Sequence, residues 1–272
     1  MSQARRVDLH MHSSRSDGRY SPQEVLERAA AARLDVVAIT DHDLVGALQP
    51  GPHDVNGHTV HLLAAAEMSG VHEGREFHLL VYFPDVVPEE FVSFCRDRTA
   101  ARAERYDRAV HSLGVPGLEA ASTVAHAGQA SLTRHHLARE LVSLGHARNM
   151  RDAFRRYVGY RHEHVSPVDL TFIEAIRVAK EAGAVTSWAH PPFRAVMKYV
   201  ETFAEAGLDG LEVLRPRLKR GEARQLTRIC ERYGLLRTGG SDWHGWHDAP
   251  LGLYFVEEPR MAEFFERLGL TA

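Results

Sequence analysis

"VDLHMHSSRSDGRYSPQEVLERAAAARLDVVAIT", residues 7–40, reads as a complete strand–helix–strand unit, and that reading decides the fold. Val7 to His12 suits a strand, in which alternate side chains share a face, so Asp8, His10 and His12 point the same way. Asp17 follows in the loop. Ser21, Pro22 and Glu24 fall at the N-cap, N1 and N3 positions of an alanine-rich helix, a capping box with proline in the first turn. "DVVAIT" (35–40) then supplies the second strand. An isolated His-x-His is also what an ordinary half-exposed strand can carry, so the rest of the chain must decide its meaning.

The rhythm continues. "TVHLLAAAE" (59–67), "EFHLLVYF" (76–83), "AVTSWAHP" (184–191), "LDGLEVL" (208–214), "LLRTGGSD" (235–242) and "GLYFVEE" (252–258) read as strands. Helical patterns at 170–183, 196–207 and 220–234 separate the later ones. Repeated units of this kind predict a parallel sheet, either a closed barrel or an open doubly wound sheet. Residues 88–167 break the pattern. They are helical in periodicity, rich in arginine and without strand signals, which predicts a helical subdomain inserted into a domain formed by 1–87 and 168–272.

Composition narrows the function classes. A net charge of -3 gives no general drive toward nucleic acid or membrane. Cys95 and Cys230 are far apart, which argues against a disulfide framework or a thiolate zinc site. No signal peptide or bilayer-spanning run is evident, and a cytoplasmic enzyme or binding protein is the expectation. Neither G-x-G-x-x-G nor Walker A occurs, leaving dinucleotide and NTP sites unsupported. The anomaly is histidine, with 18 residues. His10 and His12 close the first strand, His42 follows the second in "ITDHD", Glu67 closes "LLAAAE" and His190 closes "AVTSWAH". Asp242 and His244 follow another strand in "GGSDWHG". Site residues of parallel α/β folds collect at the carboxyl ends of strands, so these seven are expected to converge on one mouth. His78 sits near the start of its run and fits that rule poorly.

The motifs "DLHMHS", "SDG", "ITDHD", "AAAEMSG", "EFHLLVYF", "WAHP" and "GGSDWHG" resemble those of the PHP family, named for its polymerase and histidinol phosphatase members. The resemblance runs over nearly the whole length. It implies a distorted (β/α)7 barrel and two to three divalent ions (Mn²⁺, Fe²⁺ or Zn²⁺). The implied ligands are His10, His12, Asp17, His42, Glu67, His78, His190, Asp242 and His244, with Glu67 as a bridge. A narrower resemblance is to the members that hydrolyse nucleoside 3′,5′-bisphosphates and short 5′-phosphorylated oligonucleotides. These carry a helical insertion in the same place, with a GRPHIAR-like motif. Here "LTRHHLAR" (132–139) keeps Arg134 and His136, which the resemblance makes substrate-binding, and departs at Leu132 and His135. "FRRYVGYRHEHVSP" (154–167) resembles the later part of that insertion. After His190 the chain reads "HPPFRAV", so Arg194, the third implied substrate residue, stands one position late, and Arg215 lies beyond a strand end.

Imidazoles and carboxylates without cysteine suit those metals, which lower the pKa of bound water and neutralise a phosphoryl group in displacement. A metal-bound hydroxide attacking phosphate is the implied mechanism. Asp8 either orients an imidazole or bonds to backbone. Arg134 either grips phosphate or makes a surface ion pair. Trp243 and Trp246 either stack on a base or wall a pocket. The implied partner is a small phosphorylated substrate, with no long duplex nucleic acid, membrane or obligate protein partner. The alternatives are a histidinol-phosphate-type phosphatase and a non-catalytic regulatory module.

Overall fold

The computed structural model describes residues 4–159 and 162–270. Tyr160 and Arg161 of the predicted insertion, and the outermost residues of the two flanking segments, lie outside them. In chain order the elements begin with β1 (Arg6–Met11), α1 (Pro22–Ala31), β2 (Val36–Ile39), β3 (Gly51–Val55), β4 (His58–His72) and β5 (Arg75–Phe83). The helices α2 (Glu89–Leu113), α3 (Thr123–His126), α4 (Arg134–Ser143) and α5 (Met150–Ala153) follow, with a π-helical turn at Phe154–Val158. Then come α6 (Phe172–Glu181), β6 (Val185–Trp188), α7 (Phe193–Glu205), β7 (Gly210–Leu214), α8 (Arg220–Tyr233), β8 (Leu236–Gly239), β9 (Val256–Glu257) and α9 (Ala262–Arg267). The capping box of α1 forms as read, with the Ser21 N–H donating to Glu24 at 2.9 Å.

Seven strands wall a nearly closed barrel in the order β8-β7-β6-β5-β4-β2-β1, with β9 on the far side of β1 and β3 paired to β4. The gap between β8 and β1 is bridged at one end by the segment after β8. There the Asp242 N–H donates to the His10 carbonyl and the His12 N–H to the Trp243 carbonyl, each at 2.9 Å. Gly240 allows this approach. A Cβ there would meet the His10 Cβ and N at 2.5 Å.

The predicted parallel sheet is mixed instead. β4 and β5 pair antiparallel from Ala64↔Phe83 to His72↔Arg75, and β5 pairs antiparallel with β6. Glu73 and Gly74, with φ of 47° and 71°, form the two-residue turn between them. Two left-handed residues make a hairpin, whereas a parallel crossover needs a dozen or more. Asn56 and Gly57 do the same between β3 and β4, a hairpin the strand–helix reading passed over. The strand expected to close at Glu67 therefore runs on to His72, and "GLYFVEE" contributes only Val256 and Glu257.

One core lies between the barrel and α6–α8, where Phe77, Phe172, Trp188, Tyr199 and Phe203 pack edge to face. Gly70 lets α6 touch β4, since a Cβ there would meet the Phe172 backbone at 2.7 Å. A second core joins Leu63, Ala65, Leu80 and Tyr82 to Phe264 and Phe265 of α9. Alternation on β4 and β5 thus puts Glu67 and His78 on the same face as those residues, further along toward the bridged end. Phe91 and Cys95 of α2 belong to the barrel core. Tyr106 and Ala109, further along the same helix, belong to a separate cluster with Leu137, Leu141, Ala153 and Val158.

Candidate metal centre

Glu67 is the hub. Its Oε2 lies 3.5 Å from His10 Nε2, 3.3 Å from His12 Nε2 and 3.2 Å from His42 Nδ1. Its Oε1 lies 3.1 Å from His78 Nδ1 and 3.0 Å from His190 Nε2. Asp17 stands beside His12, His42 and His244, the last with Nε2 3.2 Å from Oδ1. Asp242 Oδ1 is within 3.4–3.6 Å of His10, His12 and His244. All nine residues singled out in the sequence as ligands are therefore together. His78 joins them because β5 runs antiparallel, so its start lies at the end of the barrel where neighbouring strands finish.

Among the described residues, three groups have donor atoms close enough that each could hold an ion: His12, Asp17, His42 and His244; His10, His12 and Glu67; and His42, Glu67 and His78. The packing fits that role. His10 Nε2, His12 Nε2, His42 Nδ1, Asp17 Oδ1 and Glu67 Oε2 are all buried without a hydrogen-bond partner. Leaving one such atom unpaired costs about 1–3 kcal/mol, a cost that a cation held among the five would remove. The donor set is nitrogen and oxygen with no sulfur, which suits borderline divalent metals. Backbone strain sits here as well: His190 and Asp242 hold φ of 30° and 56°, rare for residues with a Cβ and concentrated at functional sites.

Electrostatics follow from the crowding. Burial would lower the His12 and His78 pKa values, but the surrounding carboxylates outweigh it and hold both up at about 10. His10 is likewise raised against burial, by Glu212, Glu67 and Asp242. For His42 burial wins and its pKa falls. Glu67 and Asp17 resist burial through the adjacent imidazoles and stay well below the usual carboxylate range.

Glu212 was not foreseen. It is fully buried on β7, where its Oε1 lies 3.0 Å from His10 Nδ1 and its Oε2 accepts the His190 N–H at 2.6 Å. A single acidic residue in the otherwise apolar "GLEVL" was the available signal. Asp41 acts similarly on the loop that carries Asp17, accepting from Ser13 N–H at 2.8 Å and from the Ser13 and Ser16 hydroxyls. Asp8 bonds to backbone, accepting from Ser241 N–H at 2.8 Å and His10 N–H at 3.3 Å. Burial raises its pKa to about 7.

The cluster shares a cavity of about 300 Å³ with Arg102, Arg105, Arg134, Glu76, His135 and Phe154, and Glu76 lies 3.7 Å from His78 Nε2. Arg134 is buried, donating from Nη1 to the Val158 carbonyl at 3.0 Å, with Nη2 3.6 Å from Glu76. His136 does not line the cavity. Its Nδ1 accepts the Thr133 N–H at 3.1 Å and closes the capping box of α4, while His135 takes the wall position. Arg194 is exposed on the first turn of α7, away from the cavity lining. Arg215 donates to the Pro191 carbonyl. Trp243 packs flat on Tyr20, whereas Trp246 is 42% exposed, donates to the Asp17 carbonyl and carries the Arg139 guanidinium over its ring.

Comparison with known proteins agrees with this geometry. Residues 8–136 match the PHP domain. The 5′-3′ exoribonuclease Rnm of Escherichia coli is 31% identical over 87% of this chain and 84% of its own length. The 3′,5′-nucleoside bisphosphate phosphatase of Chromobacterium violaceum is 27% identical over 88% and 87%. A structure from Bifidobacterium adolescentis, described as a metal-dependent phosphoesterase, superposes with a TM-score of 0.77 at 28% identity over 96% of both chains. Among the described residues no helix is long and apolar enough to cross a membrane. Identity above 30% across most of both chains, over a barrel that gathers six histidines and three carboxylates at one end, places this chain in the PHP family.

Proposed function

We propose that the chain is a metal-dependent phosphoesterase that hydrolyses the 3′ phosphate ester of nucleoside 3′,5′-bisphosphates and/or the corresponding phosphodiester of short 5′-phosphorylated oligonucleotides. The observation that carries this reading is the pairing of two features in one cavity: a cluster of imidazole and carboxylate atoms without hydrogen-bond partners, and three arginines lining the same space. In this reading His10, His12, Asp17, His42, Glu67, His78, His190, Asp242 and His244 hold two to three Mn²⁺, Fe²⁺ or Zn²⁺ ions. Bound ions supply Lewis acidity toward the phosphoryl oxygens and acidify water to a nucleophile. Glu67 sets the spacing of five imidazoles. Glu212 fixes the ring of His10 and the backbone of His190, and Asp41 holds the loop that positions Asp17. The positive charge of Arg102 and Arg134 beside the cavity favours an anionic substrate.

Residues 88–167 are proposed as a helical subdomain over the mouth. Its separate apolar cluster supports this, as do two bonds to the loop after β1: Ser131 N–H to the Arg15 carbonyl at 2.7 Å, and the Thr133 hydroxyl to Asp17 at 3.2 Å. The relatives named above are an exoribonuclease and a bisphosphate phosphatase, which supports a nucleotide substrate. The test is hydrolysis by manganese-loaded protein: phosphate release from adenosine 3′,5′-bisphosphate, histidinol phosphate and 4-nitrophenyl phosphate, and mononucleotide release from a 5′-phosphorylated trinucleotide, with kcat/KM compared across the four. The bisphosphate and the trinucleotide should give the highest kcat/KM. A preference for histidinol phosphate would replace this reading with the small-metabolite one.

A further inference from the structure

Three arginines stand on the cavity wall, and the structure separates their duties. Arg102 and Arg105, three residues apart, share a face of α2. Arg102 is engaged at every nitrogen: Nε with Asp43 at 2.5 Å, Nη2 with the Ser69 hydroxyl at 2.7 Å, Nη1 with the Leu132 carbonyl at 3.2 Å. It ties α2 to the barrel. Arg134 reaches the Val158 carbonyl and so ties α4 to the π-helical turn. Arg105 is different. It is 7% exposed, its Nη2 is 3.6 Å from Glu76 Oε2, and its Nη1 is buried without any hydrogen-bond partner while the residue lines the cavity. A buried guanidinium N–H without an acceptor is costly unless a ligand supplies one. An anionic acceptor suits this place, because Arg102 and Arg134 add positive charge beside the Glu76 and Asp43 carboxylates.

We infer that Arg105, ion-paired to Glu76 through Nη2, holds the phosphate of the substrate that is remote from the reacting one, with Nη1 as the N–H left for it. This deepens the bisphosphate reading and rests on it. The remote phosphate accepts a charged hydrogen bond from Arg105 while the reacting phosphate lies over the imidazole and carboxylate cluster. Binding energy gained away from the reacting bond then positions the substrate. A mononucleotide carrying only the remote phosphate should use the same contact.

The experiment compares wild type, Arg105→Ala and Arg105→Lys, all loaded with manganese and checked for folding by circular dichroism. With adenosine 3′,5′-bisphosphate, Arg105→Ala should lose about tenfold to a hundredfold in kcat/KM, whereas 4-nitrophenyl phosphate turnover should stay within about threefold. Arg105→Lys keeps the charge without the fork and should fall between the two. If the alanine variant does not fold, the lysine variant carries the comparison. Inhibition of 4-nitrophenyl phosphate turnover by adenosine 5′-monophosphate is the second readout. Its inhibition constant should rise about tenfold or more in Arg105→Ala, while that of orthophosphate stays unchanged. This readout needs no bisphosphate cleavage, so a wild type that ignores bisphosphates refutes the substrate reading while the inhibition constant still decides Arg105. Equal losses on both substrates, or an unchanged constant for the mononucleotide, would overturn the assignment.

Discussion

Replacing Glu212 with glutamine tests whether the cluster is built to hold metal or is merely a polar interior. The carboxylate bridges two donors, with Oε1 3.0 Å from His10 Nδ1 and Oε2 2.6 Å from the His190 N–H. Glutamine is nearly isosteric but has one oxygen and one N–H₂ group. Whichever way the amide turns, it points a donor at either the imidazole N–H or the peptide N–H. At least one charged hydrogen bond is lost, at about 1.5–3 kcal/mol, and His10 Nε2 becomes less basic without an anion behind it. That range corresponds to roughly a tenfold to hundredfold loss of metal affinity. Titration of metal-free protein with manganese against a competing fluorescent chelator measures the affinity, and urea unfolding checks the fold. At saturating metal much of the activity should return. Unchanged affinity in a folded Glu212→Gln protein would refute the idea that Glu212 prepares His10 and His190 for an ion.

Two further outcomes are expected. Gly240→Ala pushes a methyl group into His10 and should separate the segment after β8 from β1, abolishing metal-supported activity; near-normal turnover would contradict the closure described. In metal-free protein His12 and His78, at about 10, hold their protons at neutral pH and must release them to bind an ion. Metal uptake should therefore liberate protons, and apparent affinity should climb between pH 6 and pH 8. Titration calorimetry in two buffers of different ionisation enthalpy measures this, and absence of proton release would contradict the charge state described.

Much of this was legible beforehand because metal sites are local in sequence. His10, His12 and Asp17 lie within eight residues, and "ITDHD", "WAHP" and "GGSDWHG" each end or follow a strand, where a barrel collects its side chains. What the strand–helix rhythm missed was direction. It treated all strands as parallel, so His78 looked misplaced until the Glu73–Gly74 turn reversed β5. Glu67 was assigned to a strand end although it lies in the middle of β4, because the hydrophobic run stops there while the pairing does not. Glu212 and Asp41 were missed for another reason. Their partners are a ring, hydroxyls and backbone groups more than twenty residues away, and no local spacing encodes such contacts. Arg105 was hidden in a helix full of arginines, where only packing shows which guanidinium both lines the cavity and keeps an N–H without a partner.

The most direct test of the central claim is the metal content of the protein. Nine donors exceed the four to six that one ion of this class takes, so a cluster that evolved for metal should bind more than one. Protein stripped with chelator, reloaded with manganese and freed of excess by gel filtration should carry two to three ions per chain by elemental analysis. His10→Ala and Asp242→Ala should reduce that number while the fold survives. One ion or fewer per chain in folded wild-type protein would contradict a multinuclear phosphoesterase site.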